Sequence, residues 1–296
     1  MSRLPLFVLA AALIGGAIFW RVTMPETLPA EHFAGVTGDA ARGEAIFTAT
    51  GCASCHMAPG AKGEAQRVLA GGQRFASDFG TFVAPNISPD PTHGIGGWSL
   101  MDLANAMQRG VTPDGQHLYP ALPYWSYARM QPQDVADLYA YIQTLPPSDV
   151  ASLPHDLGFP FNIRRVVGGW KVLNRDRDFV VQGDLTAAEA RGRYIAEAMA
   201  HCGECHTPRN SLGGLDTSRW LAGAPNPSGQ GDIPNITPAK LTWSEAEIVE
   251  YLTSGFTPDY DSVGGHMVHV VENMAKLADS DRAAVAAYLK RVARAE

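Results

Sequence analysis

The chain has 296 residues, 46% of them hydrophobic and 18% charged, with a formal net charge of −7 at pH 7. A chain of this length and composition builds a core without staples, which excludes a disulfide framework as the purpose of its 4 cysteines. The acidic surplus also argues against a nucleic-acid partner, which calls for a basic face.

The first element is apolar. Leu4 to Trp20 carries no charge, with Arg3 before it and Arg21 after it. That is the short end of a membrane-spanning helix, which needs about 17–25 residues. The alternative is a cleaved secretory signal, but the run leads into the bulky "AIFWRV" and no small-x-small site follows. Trp20 also suits a headgroup boundary. Residues 1–24 are therefore read as a retained anchor, and all that follows as exported.

Next comes "GDAARGEAIFTATGCASCH", a short helix with Ile46 and Phe47 facing inward, running into Cys52, Cys55 and His56. The other two cysteines stand in a second copy, "HCGECH", as Cys202 and Cys205 followed by His206. Cys-x-x-Cys-His is the attachment signature of c-type haem. Two thiols a helical turn apart each add across one vinyl group, and the following His is carried beneath the ring as proximal iron ligand. A thioredoxin-like pair gives no role to a His at the same offset twice. A four-thiolate zinc site needs its halves much closer in the chain. The reading is two covalently bound haem c groups, attached through Cys52, Cys55, Cys202 and Cys205, with His56 and His206 as metal ligands.

Landmarks then recur in order after each motif: "LAGG" at Leu69 and "LAGA" at Leu221, "APNISP" at Ala84 and "IPNITP" at Ile233. Asn86 and Asn235 occupy the matching turns, and Pro59 and Pro208, just past each His, are candidates to offer a carbonyl to its imidazole. Trp98 and Trp243 are candidates to reach a haem propionate, though a packed aromatic reads equally well. Ser99 with Asp102, and Ser244 with Glu247, form capping boxes opening a helix that Gly110 and Gly255 end. Each unit closes on an amphipathic helix, with Leu138, Tyr141, Ile142 and Leu145 matching Val285, Tyr288, Leu289 and Val292. Tyr194 and Ile195 are expected to face inward ahead of the second motif.

No run alternates as a strand should, so the fold class is all-α: two tandem cytochrome c domains behind one N-terminal transmembrane helix. The divisions are 1–24 anchor, 25–147 first domain, 148–184 linker and 185–296 second domain. The linker is too long and apolar for a plain tether; "FNIRRVVGGWKVL" reads as a short amphipathic helix with Arg164, Arg165 and Lys171 on its wet side, and packing across both domains is the favoured reading, a membrane-surface role the other.

A Met on the sixth iron position makes a closed electron carrier, and an open one invites oxygen or peroxide chemistry. In the second unit Met267 follows two glycines in the loop before the last helix, with Met274, His266 and His269 as alternatives. In the first unit Leu122 stands opposite Met267 and cannot ligate iron, which leaves Met130, with His117 next; Met101 and Met107 are expected to pack.

The stretches "APNISPDPTHGIGGWS", "HLYPALPYWSYARM", "DLGFPFNIRRVVGGW" and "HCGECHTPRNSLGG" resemble the membrane-anchored cytochrome c subunits of bacterial periplasmic dehydrogenases for alcohol, gluconate or aldehyde. The likeness covers the chain from about Gly38 onward, and two haems place it with the shorter branch of that family. It implies a bacterial inner-membrane protein, single-pass, with its haem domains in the periplasm. It implies no catalysis of its own: electrons pass from a dehydrogenase catalytic subunit (flavin, molybdenum or quinoprotein) to quinone or a terminal oxidase. Relatives have Met or Phe where Leu122 stands and Met where Met130 stands. Two other readings stay open, a dihaem subunit of a haem–copper oxidase and a free-standing dihaem oxidoreductase.

Overall fold

The computed structural model describes residues 4–174, 177–227 and 231–295, so Arg3, the charged flank of the apolar run, lies outside the described residues. Helix α1 (Leu4–Val22) has no buried residue and a mean hydropathy of 1.9, long and apolar enough to cross a membrane.

The first unit begins at α2 (Ala40–Thr50). Asp39 caps it, accepting from the backbone N–H of Ala41 and Arg42, and Gly51 ends it in the left-handed region at φ 65°. The short α3 (Cys52–His56) follows directly. A hairpin of β1 (Arg74–Ser77) and β2 (Gly80–Val83) comes next, then α4 (Leu100–Arg109), α5 (Tyr124–Tyr127) and α6 (Pro132–Ile142). The Ser99–Asp102 box opens α4 and Gly110 closes it, as expected.

In the segment read as a linker, β3 (Asp156–Leu157) adds to the edge of β2, and α7 (Arg164–Leu173) follows. This segment touches both units. Lys171 Nζ donates to the Arg109 and Gly110 carbonyls at 2.7 and 2.6 Å, and Trp170 Nε1 donates to the Leu212 carbonyl at 2.8 Å.

The second unit repeats the plan with α8 (Ala187–Arg193), a π-helical turn over Tyr194–Met199, and α9 (Gly203–His206). A β4 (Ala224–Pro225) and β5 (Asp232–Ile233) pair precedes α10 (Glu245–Ser254), α11 (Met267–Met274) and α12 (Asp279–Arg291). The Ser244–Glu247 box opens α10 as predicted, and a further one, Thr186 with Glu189, opens α8.

The two units share one crossing. Helix α2 packs on α6 and α8 on α12, and all eight residues of the two predicted stripes are buried, as are Ile46, Phe47 and Ile195. Backbone approaches backbone at a glycine each time: a Cβ on Gly43 would stand 2.0 Å from the Asp137 carbonyl oxygen, and one on Gly192 1.9 Å from that of Ala284. An arginine beside each glycine forks onto an acid of the partner helix, Arg42 onto Asp137 at 2.8 and 3.1 Å and Arg191 onto Asp281 at 2.8 and 2.9 Å. Burial alone would raise the Asp137 pKa, but bonds from Arg42, the Asp39 N–H and Gln133 outweigh it and hold it below the usual carboxylate value.

Two expectations are corrected. The chain is mostly helical, but the all-α class omits β1 to β5, strands of four or two residues that are too short to display a period. Tyr194 does not turn into its own unit: its hydroxyl donates to Asp134 and accepts from the Gln131 N–H, both in the first unit.

Candidate functional site

Each Cys-x-x-Cys-His motif is held by the same small frame. The fourth residue of the first motif follows the first by one turn of α3, which puts Cys52 and Cys55 on one face, with His56 next. His56 Nδ1 lies 2.9 Å from the Pro85 carbonyl, and His206 Nδ1 lies 2.8 Å from that of Pro234. A carbonyl only accepts, so the proton sits on Nδ1 and each Nε2 is left with its lone pair. Burial pushes both imidazoles below the usual His value, which favours the same neutral form.

The repeated landmarks are the parts of this frame. Gly71 N–H donates to the His56 carbonyl and Gly223 N–H to the His206 carbonyl, each at 2.7 Å. Ile87 N–H then reaches the Leu69 carbonyl and Ile236 N–H that of Leu221, each at 3.0 Å, so the two repeated stretches are tied to each other and to the His. Gly71 and Gly223 have φ of 73° and 85°, and a Cβ on either would meet the Pro-Asn turn at 2.5 or 2.8 Å. The Asn of each turn ties down the chain leaving the unit's last helix. Asn86 Nδ2 donates to the Ser148 and Val150 carbonyls, and Asn235 Nδ2 to that of Ala295.

Pro59 and Pro208 do not serve the histidines. Met57 and Thr207, just past each His, are extended, with ψ of 156° and 132°, and carry those prolines away. Pro85 and Pro234 were missed because a backbone carbonyl leaves no side-chain signature; their recurrence at matching places was the available signal. The Trp98 carbonyl accepts from Tyr139, and the Trp243 ring packs on Tyr251 at 5.3 Å.

All four thiols are free. Burial pushes Cys52 up to about 11 and Cys202 up to about 12, so both stay protonated at neutral pH. Among the described residues no group of three or more His, Cys, Asp or Glu side chains is placed to hold a metal ion. The donor set, two thiols and one imidazole with a free Nε2 in each unit, fits haem c.

Of the candidate distal ligands, Met267 is the first residue of α11, partly buried against the core, and Gly264 and Gly265 precede it. Met274 is buried in the core, His269 Nδ1 pairs with Glu272 at 2.9 Å, and the His266 ring lies 6.2 Å from Phe75. Met130 is buried in the core cluster just before α6, its carbonyl accepting from Gln108 at 3.0 Å. His117, the other first-unit candidate, donates from Nε2 to the Thr23 carbonyl at 2.9 Å, at the exit of α1. Met107 is buried and Met101 packs against the core, as expected.

The two motifs are neighbours. Asn273 of α11 donates to Ser54, between the cysteines of the first motif, at 3.0 Å. Tyr127 donates to the Thr50 carbonyl at 3.3 Å, and its ring stands edge-on to His201, beside Cys202, at 5.8 Å. Burial first, then Cys52 and Cys205, push Cys55 up to about 11, so thiols of the two units sense each other.

Paired helical units, each with a thiol-thiol-imidazole set on a carbonyl-oriented His, define a two-centre c-type electron carrier. The chain belongs to the cytochrome c family, whose pattern matches residues 40–146 and 189–293. It is 62% identical over 284 residues to a diheme cytochrome c-type protein of Cereibacter sphaeroides, covering 96% of each chain. The fructose dehydrogenase cytochrome subunit of Gluconobacter japonicus is 38% identical over 258 residues, 85% of this chain and 52% of that one. The cytochrome c subunit of the quinone alcohol dehydrogenase of Gluconobacter oxydans is 34% identical over 268 residues, 84% of this chain and 54% of that one. The chain thus spans nearly all of the diheme protein and about half of each dehydrogenase subunit. It is a dihaem cytochrome c, carrying two covalently bound haem c groups.

Proposed function

We propose that this chain is the electron-transfer subunit of a periplasmic dehydrogenase. It takes electrons from a flavin, molybdenum or quinoprotein catalytic subunit and passes them to quinone or a terminal oxidase. The observation that carries the proposal is the adjacency of the two attachment motifs: Tyr127 bridges Thr50, just ahead of the first, to His201, beside Cys202 of the second, while Asn273 of the second unit holds Ser54 of the first motif. A two-step relay needs its centres side by side, and the similarity to fructose and alcohol dehydrogenase cytochrome subunits supplies the donor class.

When bound, each haem supplies a one-electron iron couple. The chain does the rest. Cys52, Cys55, Cys202 and Cys205 would hold the rings, and His56 and His206, oriented by Pro85 and Pro234, would ligate through Nε2. Met267 and Met130 would close the distal faces; for Met267 the support is its place at the start of α11, after Gly264 and Gly265 and partly buried against the core. Closed faces leave outer-sphere transfer as the chemistry, with no acid, base or nucleophile. Residues 25–147 and 185–296 form the two domains with 148–184 between them, and α1 anchors them on the periplasmic side of the inner membrane, which its length and hydropathy support.

Purification from native membranes in mild detergent, with mass spectrometry of what stays bound, tests the reading. A dehydrogenase catalytic subunit in stoichiometric amount is expected. Haem–copper oxidase subunits in its place, or a cytochrome that reduces peroxide alone, would overturn it.

A further inference from the structure

Helix α7 is turned inside out for a helix in water. Its buried face holds Val167, Gly168 and, contrary to the expectation that it faces water, Lys171, drawn in by the Arg109 and Gly110 carbonyls. Its exposed side carries Val166 and Leu173, the latter 69% exposed, at the i, i+7 spacing of one stripe, and exposed Ile163 caps its start. The chain entering it adds Phe159, 81% exposed, and Phe161. A lysine inside and leucine outside is the wrong sense for a solvated surface, and an exposed apolar patch of this kind marks an interaction site.

What covers the stripe is argued from where α7 is fastened. Arg165 donates to the Trp20 carbonyl, and its guanidinium lies 4.1 Å from the centre of the Trp20 ring. Gly169 stands against Phe19, and a Cβ on Gly168 would stand 2.6 Å from the Thr23 carbonyl. That same carbonyl accepts from His117, and Arg164 donates to the His117 carbonyl at 2.9 Å. Apart from the Arg164–His117 bond, these contacts are with the last turn of α1 or its exit, where a Trp–Arg pair marks the headgroup level. A helix held at that level with aliphatic residues outward and two arginines in its first turn has the make-up of an interfacial helix.

We infer that residues 159–173 form a second membrane contact, lying in the headgroup layer with Phe159, Ile163, Val166 and Leu173 among the acyl chains. Lipid is the occupant, and the partner subunit is not. The inference rests on α1 being a membrane span.

The full-length holo-cytochrome, alone in nanodiscs of phosphatidylethanolamine and phosphatidylglycerol, would be photolabelled by a lipid with a diazirine in its acyl chain and mapped by peptide mass spectrometry. Label is expected on the peptides covering both 4–22 and 159–173. Label on 4–22 with none on 159–173 would overturn this inference and leave the anchor standing, as it would if the stripe served a protein partner. No label on either would overturn both. The triple variant Phe159→Asp, Val166→Asp, Leu173→Asp is expected to lose the 159–173 label and keep the 4–22 label and both haem absorbance bands. Retained label on 159–173 would count against the stripe.

Discussion

Asn273, six residues beyond Met267 in α11, donates its side-chain amide to Ser54, which stands between the two cysteines of the other unit's attachment motif. The helix proposed to bring the distal ligand of one haem thus touches the segment that holds the other. Removing one partner of a half-buried bond of this kind costs about 1 kcal/mol. Asn273→Ala and Ser54→Ala are each expected to lower the unfolding midpoint, and the double variant to cost less than their sum. Strict additivity in that cycle would mean the bond contributes nothing.

The ligand proposals separate by domain. Met267→Ala is expected to turn haem 2 high-spin and lower its potential, with haem 1 unchanged; Met130→Ala is expected to do the same to haem 1. Magnetic circular dichroism and a redox titration read both. A Met267→Ala spectrum that changes only at haem 1 would contradict the pairing.

Glu197 gives a pH dependence. It is fully buried, accepting from Tyr288 at 2.7 Å and from the Val180 and Val181 N–H groups, and burial raises its pKa above the ordinary value of 4.5 against those bonds. Between 4.5 and its raised value the folded chain binds more protons than the unfolded one. Stability from this group is therefore present below the unfolded value and falls as pH rises through the folded one, by at most about 1.4 kcal/mol per pH unit. Glu197→Gln is expected to flatten that part of a denaturation-against-pH curve. An unaltered slope would show that Glu197 does not titrate in the window.

The helix crossings are the firmest structural prediction. Gly43→Ala and Gly192→Ala each put a methyl group where a carbonyl oxygen stands about 2 Å away, and backbone cannot step aside. Overpacking of this kind costs about 1–3 kcal/mol. Gly97→Ala, whose Cβ would meet its nearest atom at an ordinary 3.6 Å, is the control and is expected to change little. Thermal melts followed at the haem band compare the three, and equal midpoints would show that the helices yield.

What the residues disclose by themselves follows from how local the cause is. The stripes of α6 and α12, the boxes at Ser99 and Ser244 and the stops at Gly110 and Gly255 are all set within a turn or two of chain, and each was legible. The two motifs were legible because thiol, thiol and imidazole must be adjacent in sequence to meet one ring. Pro85 and Pro234 act through a main-chain atom, so only their repetition marked them. His117 looked like a ligand because its loop is where one belongs, yet its partner, Thr23, is 94 residues away along the chain. Asn273 with Ser54, and Tyr194 with Asp134, are pairings across the unit interface, and nothing in either residue's own neighbourhood announces its partner.

The bond from His117 to Thr23, with Trp20 beneath Arg165, has a last consequence. A body trailing from a free tether tumbles and meets its partners with any face. One strapped at the very exit of its stalk keeps a fixed tilt and height, like a boat moored at bow and stern. With α1 as the membrane anchor proposed above, search for a mobile carrier in that membrane loses a dimension, and in-plane density sets the local concentration that a soluble cytochrome would need a crowded compartment to reach.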